Sequence, residues 1–212
     1  MRSACYIHSS TPPVRTPYPH RKVNTMTSKV LLLGGWPGSG KTTVAKILER
    51  DHGFTRVKFA GALKHMISAL LRYQGVSEEE IQEAIEGETK NLPLHTLYSK
   101  TPRHAMQTLG TEWGRKCMGE DIWVDIAYNV VSHMYQTGIN VVLDDCRFMN
   151  EIRGFSDFQP GIWWIKRPGV HKPENSHVSD NELNAEDFEY ILNNNGTVWG
   201  LEEAVKHGLS IL

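Results

Sequence analysis

The apolar run Val30-Leu31-Leu32-Leu33 ends at a pair of glycines and continues as Gly35-Trp36-Pro37-Gly38-Ser39-Gly40-Lys41-Thr42. This string fits G-x-x-x-x-G-K-[ST], and it lies between an apolar strand and a helical stretch, as the chemistry of such a loop requires. Its glycines let successive backbone N–H groups turn inward around phosphate oxygens, and the helix that follows adds partial positive charge. Lys41 is placed to reach the β and γ oxygens of a triphosphate, and Thr42 to offer its hydroxyl to Mg²⁺. Gly35, Gly38, Ser39, Gly40, Lys41, Thr42 and Thr43 together form the candidate nucleotide-binding loop. A dinucleotide turn of the form G-x-G-x-x-G is disfavoured because Thr43 stands where its last glycine would be.

The elements around the loop predict a doubly wound parallel α/β sheet. A strand over 30–33 leads through the turn to a helix over 42–50, and a short strand follows around 55–59. A helix is expected near 62–72. Ser77-Glu78-Glu79-Glu80 reads as a capping box, with Val76 and Ile81 as its hydrophobic staple. Residues 87–102 read as irregular. Ile122, Ile126, Val130 and Met134 recur every four residues and stop before Gly138, which predicts a buried helix with a glycine C-cap. The β-branched run 139–143 is the next strand, with Asp144-Asp145-Cys146-Arg147 at its carboxyl end, where open α/β sheets place their chemistry. Strands over 162–165 and near 190–192, a turn at 193–196 and a helix ending before Gly208 complete the pattern.

A length of 212 residues fits one domain with an inserted subdomain. The first 28 residues contain no Asp or Glu, carry Pro12, Pro13, Pro17 and Pro19, and show no hydrophobic periodicity, so a disordered tail is expected there. A net charge of −1 gives no electrostatic drive toward nucleic acid or anionic lipid, and no apolar stretch approaches the ~18 residues of a membrane helix. The expected partner is a small molecule, and a homodimer is compatible with this composition. Cys5, Cys117 and Cys146 lie far apart, which argues against a disulfide framework or zinc cluster and fits a reducing cytoplasm, the host's if the chain is viral.

Triphosphate binding alone does not separate a switch, a motor and a kinase. The chain has no D-x-x-G and no N-K-x-D, so the γ-phosphate sensor and guanine-reading elements of a GTPase are missing. Transfer to an acceptor that already carries a phosphate gathers negative charge and needs fixed cations. Lys64, one turn into the helix after Phe59-Ala60-Gly61, and Arg103, Arg147 and Arg167, at element ends and in loops, are candidates.

Thr101-Pro102-Arg103-His104-Ala105-Met106-Gln107-Thr108-Leu109-Gly110-Thr111-Glu112, then Asp121-Ile122-Trp123, Asp145-Cys146-Arg147, Arg167-Pro168-Gly169 and Asn195-Gly196, resemble in type and order the bacteriophage deoxynucleoside monophosphate kinase family. The likeness runs from about Lys29 to the C-terminus. It implies a three-layer P-loop kinase domain over 29–212, with a central parallel sheet, a helical monophosphate-binding insertion about 60–115 and a short lid about 167–181. It also implies ATP with Mg²⁺ as donor and a deoxynucleoside monophosphate (dNMP) as acceptor, for DNA precursor synthesis. By the same resemblance, Lys64, Arg103 and Arg147 would grip the acceptor phosphate, and Asp145 would lie beside the reacting centre. Gln107, Glu112 and Trp113 would line the sugar and base pocket. Arg167 would open the lid, and Asn195 and Gly196 would lie along the adenine. Either Asp144 or Asp145 could hold Mg²⁺ through water, and an Asp-Asp pair in this place also serves as a turn or helix cap. The helix carrying Met106, Leu109 and Trp113 also reads as ordinary core. The chain departs from the family pattern at Trp36-Pro37, bulky and stiff inside the loop, and in its short lid. A dephospho-coenzyme A kinase or other small-metabolite kinase is the neighbouring reading, and an ATP-binding regulator without turnover is the alternative of another class.

Overall fold

The computed structural model describes residues 28–172 and 183–212. Residues 1–27 of the tail expected over 1–28, and residues 173–181 of the lid expected about 167–181, lie outside the described residues. Five strands, β1 (Val30–Gly34), β2 (Phe54–Val57), β3 (Asn140–Leu143), β4 (Gly161–Lys166) and β5 (Tyr190–Asn193), form one sheet in the order β2-β3-β1-β4-β5, with every neighbouring pair parallel. β2 and β3 therefore lie on one side of β1 and β4 and β5 on the other, and such a reversal of strand order opens a crevice at the carboxyl edge of the sheet.

Strand β1 is apolar at every position because both faces are covered. Leu31 and Leu33 pack on one side with Val44, Ile47 and Leu48 of α1 (Lys41–His52) and Leu201 and Val205 of α7 (Val198–Ser210). Val30 and Leu32 pack on the other with Val124, Ala127 and Val131 of α5 (Ile122–Gln136) and with Phe155, just past α6 (Met149–Gly154). Helices on both faces of a parallel sheet make the expected three layers, and burying each such side chain contributes about 1.5–3 kcal/mol. The close approach is tightest at Gly34, where a Cβ would lie 2.1 Å from the Phe188 ring.

A third cluster joins Ile67 and Leu71 of α2 (Gly61–Tyr73), Ile81, Ala84 and Ile85 of α3 (Glu78–Glu86) and Leu97, with Ala105 and Met106 of α4 (Pro102–Thr108) packed against it. The capping box at Ser77 and Glu80 is formed in both directions. From Leu109 to Met118 the helix continues in wider turns, and the Trp123 indole N–H donates to the Gly110 carbonyl at 2.8 Å.

Two helix expectations are corrected. The apolar residues of α5 spaced by four do not form its buried face: Ile126 is 37% and Val130 43% exposed, whereas Trp123, Val124, Ala127 and Val131 are buried. A four-residue step advances about 400° around a helix, so such a row drifts by about 40° per step and cannot stay under one neighbour. The glycine stop of α5 is present, with Gly138 at φ 86 and the Ile139 N–H bonded to the Met134 carbonyl. Helix α7 does not end before Gly208 but runs through it, because that glycine lets the helix lie on Trp163, only 2.8 Å from where a Cβ would be.

Candidate active site

The loop between β1 and α1 closes on itself through the Ser39 N–H, bonded to the Trp36 carbonyl at 3.0 Å. Gly40, at φ 105, has no room for a side chain, since a Cβ would lie 2.5 Å from Asn194 Nδ2. That amide donates to the Ser39 carbonyl at 2.9 Å, and the Asn194 N–H donates to the Lys166 carbonyl at 2.7 Å, so the end of β5 is tied to the loop. The Ser39 hydroxyl is buried and has no hydrogen-bond partner among the described residues. The Lys41 ammonium folds back over the loop onto the Gly35 and Trp36 carbonyls. Trp36 does not crowd the cradle: its ring stands edge-on to Trp164 of β4 at 5.1 Å and packs against the core.

At the carboxyl end of β3 the two aspartates part. Asp144 is buried, accepts the Thr42 hydroxyl at 3.3 Å and the Arg56 guanidinium at 2.7 Å on Oδ2, and leaves Oδ1 buried with no partner among the described residues. A buried carboxylate oxygen without a donor, next to a threonine hydroxyl, is a set of hard oxygen ligands that fits Mg²⁺. Asp145 turns the other way and takes the Phe59 and Ala60 N–H groups at 2.9 and 3.1 Å, pinning the turn that starts α2. Burial, with Asp144 adding to it, pushes the Asp145 carboxyl above the usual range.

Beyond them opens a cleft of about 640 Å³, lined by Lys41, Thr42, Asp144 and Asp145 on the sheet side and by Gln82, Glu86, Lys90, Arg103 and Gln107 on the helical side. Lys58 and Lys64 both reach the Glu86 carboxylate, at 2.9 and 2.8 Å. Burial holds the Lys64 ammonium below its ordinary pKa, against the opposing pull of Glu86. Arg103 donates to Asn91 at 2.7 Å. Glu151 is buried and accepts the Arg147 and Phe148 N–H groups at 2.6 and 3.0 Å and Arg115 at 3.3 Å, while Arg115 lies 3.5 Å over the Phe148 ring. Burial pushes the Glu151 carboxyl up to about 8, with the two N–H bonds pulling the other way.

Over residues 77–205, more than half its length, the chain matches the family described as deoxynucleotide monophosphate kinase. The chain belongs to that family. Solved structures with a similar backbone include a Thermus thermophilus protein (18% identity, 87% of this chain and 98% of that one, TM-score 0.47), the APS kinase of Mycobacterium tuberculosis (14%, 86% and 97%, 0.42) and the dephospho-CoA kinase of Campylobacter jejuni (12%, 87% and 97%, 0.42). No curated protein matches the chain.

Of the residues singled out from the sequence of this kinase, Lys41, Thr42, Lys64, Arg103, Gln107, Asp144, Asp145 and Arg147 all line the one cleft. Arg167 is exposed beside the phosphate loop and reaches the Gly38 carbonyl at 3.4 Å. Asn195 and Gly196 are exposed directly after Asn194, beside the same loop. Two expected pocket residues are elsewhere, and their placement is corrected here. Glu112 points outward and pairs with Lys116 one helical turn on, at 2.8 Å. Trp113 lines a separate apolar groove with Leu70, Tyr98 and Leu109, its ring 6.1 Å from that of Trp123. Of the segment in wider turns, Gly110 and Thr111 line the cleft.

The sequence reading missed Arg56, Lys58, Glu86, Arg115, Glu151 and Asn194. One signal was available: Arg56 and Lys58 alternate at the end of a strand, where a period of two puts both on one side. Glu86, Arg115 and Glu151 are reached only through folding, and nothing local marks them.

Proposed function

We propose that this kinase transfers the γ-phosphoryl group of ATP to deoxynucleoside monophosphates, giving the diphosphates used as DNA precursors. The observation that carries the reading is the cleft itself: in a member of this family, a triphosphate loop and a second group of cations, Lys64, Arg103 and Arg147, face one cavity. That is the charge arrangement two phosphorylated substrates need if they are to meet in line.

On this reading the backbone of residues 35–43 and Lys41 bind the donor's phosphates, and Asn195-Gly196 lies along its base. Thr42 and Asp144 would hold Mg²⁺, which when bound neutralises charge on the β and γ oxygens. Asp145 positions the start of α2 and with it Lys64. Lys64, Arg103 and Arg147 hold the acceptor's phosphate, Gln107 faces its sugar or base, and Arg167 approaches the transferring group from the loop after β4. The acceptor's phosphate oxygen then attacks the γ-phosphorus as the bond to the β-bridging oxygen breaks, with no covalent enzyme intermediate.

A coupled assay with dGMP, dTMP, dCMP, dAMP and dephospho-coenzyme A as acceptors tests the proposal. Turnover with one or more of the four dNMPs is expected. Turnover with dephospho-coenzyme A alone, or with none of the five, would contradict it.

A further inference from the structure

The Glu86 carboxylate sits between two ammonium groups of the cleft. Lys58 Nζ lies 2.9 Å from both of its oxygens, and Lys64 Nζ lies 2.8 Å from Oε1. The two lysines come from different elements, one just past β2 and the other one turn into α2, and they converge on one anionic group with several oxygens. That is the arrangement in which two lysines share a phosphate. Glu86 itself is poorly placed for a negative charge. It is the last residue of α3, where unpaired carbonyls and the helix dipole disfavour an anion and no basic residue of α3's own last turn offsets them. What holds it is the lysine pair, and Glu86 is partly open to solvent.

We propose that Glu86 is a built-in stand-in for the acceptor's phosphate, displaced when that phosphate binds, and that Lys58 is a further acceptor-binding residue beside Lys64. The inference rests on the proposed reading of this cleft as an acceptor site. A phosphate monoester dianion brings more charge and three free oxygens, so it outcompetes a single carboxylate for two ammoniums and for the nearby Arg103. The exchange also gives selectivity. An acceptor lacking the phosphate has nothing with which to displace Glu86, and the lysines stay paired with it. Burial disfavours the charge of Lys64, so its ammonium gains from having an anion always at hand.

The test is a calorimetric titration of inorganic phosphate onto the whole chain saturated with ADP and Mg²⁺, so that the phosphate loop is already filled. It compares wild type with Glu86→Gln, which keeps the shape of the side chain, with Glu86→Ala and with Lys58→Met. Melting curves confirm that each is folded. Both Glu86 variants should bind phosphate about three- to tenfold more tightly, the factor by which two part-exposed ion pairs compete. Lys58→Met should bind it more weakly than wild type. Unchanged or weaker binding in both Glu86 variants would overturn the displacement, and unchanged binding in Lys58→Met would overturn the role of that lysine. Failure of every dNMP in the acceptor assay, with tighter phosphate binding in the Glu86 variants, would sink the acceptor assignment and leave the displacement standing.

Discussion

Arg56 Nη2 lies 2.7 Å from Asp144 Oδ2, and that same oxygen accepts the Thr42 hydroxyl. The pair links β2 to β3 at the mouth of the phosphate loop and fixes which oxygen of Asp144 remains available. Asp144→Asn should therefore do two things. It leaves the Arg56 guanidinium without its counter-charge, which costs about 1–3 kcal/mol once solvent on the arginine side is allowed for. It also weakens Mn²⁺ or Mg²⁺ binding in the presence of nucleotide, readable by paramagnetic resonance with Mn²⁺. Metal affinity equal to wild type would remove Asp144 from the metal site.

Donor and acceptor faces of the cleft should separate kinetically. Lys41→Ala should lower kcat by several orders of magnitude, since it removes charge offset worth several kcal/mol at the transferring group. Arg147→Ala should raise KM for the acceptor and lower kcat, with donor affinity little changed. Arg147→Lys should fall between, because an ammonium keeps the charge but not the bidentate fork. Loss of ATP binding in Arg147→Ala, with acceptor affinity intact, would move Arg147 to the donor side.

Asn194 should behave as a structural part of the loop. Asn194→Ala removes the donor to the buried Ser39 carbonyl and opens space beside Gly40. The expected cost is about 1–3 kcal/mol of stability, with a raised KM for the donor nucleotide. A melting temperature and donor KM equal to wild type would show that the tie between β5 and the loop is dispensable.

Glu151 gives a pH signature. Its carboxyl lies at about 8 in the folded chain against 4.5 for an ordinary glutamate, so over that window the folded state holds a proton the unfolded state has released. Its contribution to stability is then fully present below pH 4.5 and is lost as pH rises through about 8. Burial sets this direction, Asp145 adds to it, and Arg147 and Phe148 N–H bonds and Arg115 oppose it. Glu151→Gln keeps the uncharged shape and should flatten the fall in melting temperature between pH 5 and 8. An equal fall in both proteins would assign that pH dependence to other groups.

Much of this architecture was legible because burial writes itself into local pattern. Val30 to Leu33 and Val141 to Leu143 are continuous apolar stretches since helices cover both faces, and the glycines of the loop could be read from the turn they must make. The α5 row at Ile126 and Val130 misled because apolar spacing by four is close to helical period without matching it. The placement of Glu112 and Trp113 came from resemblance alone, and no local pattern ties either side chain to the cleft. Lys58 with Glu86, and Arg115 with Glu151, are side-chain contacts between residues 28 and 36 positions apart, so only the packed chain brings them together.

Phosphoryl transfer itself is the central claim, and the most direct measurement follows the label. ATP radiolabelled on its γ-phosphate, incubated with the protein, Mg²⁺ and an equimolar mixture of the four dNMPs, should pass its label to the β-phosphate of one or more deoxynucleoside diphosphates, separable by chromatography. Label recovered only in ATP, or only as free phosphate, would contradict the account and leave the chain a nucleotide binder or hydrolase.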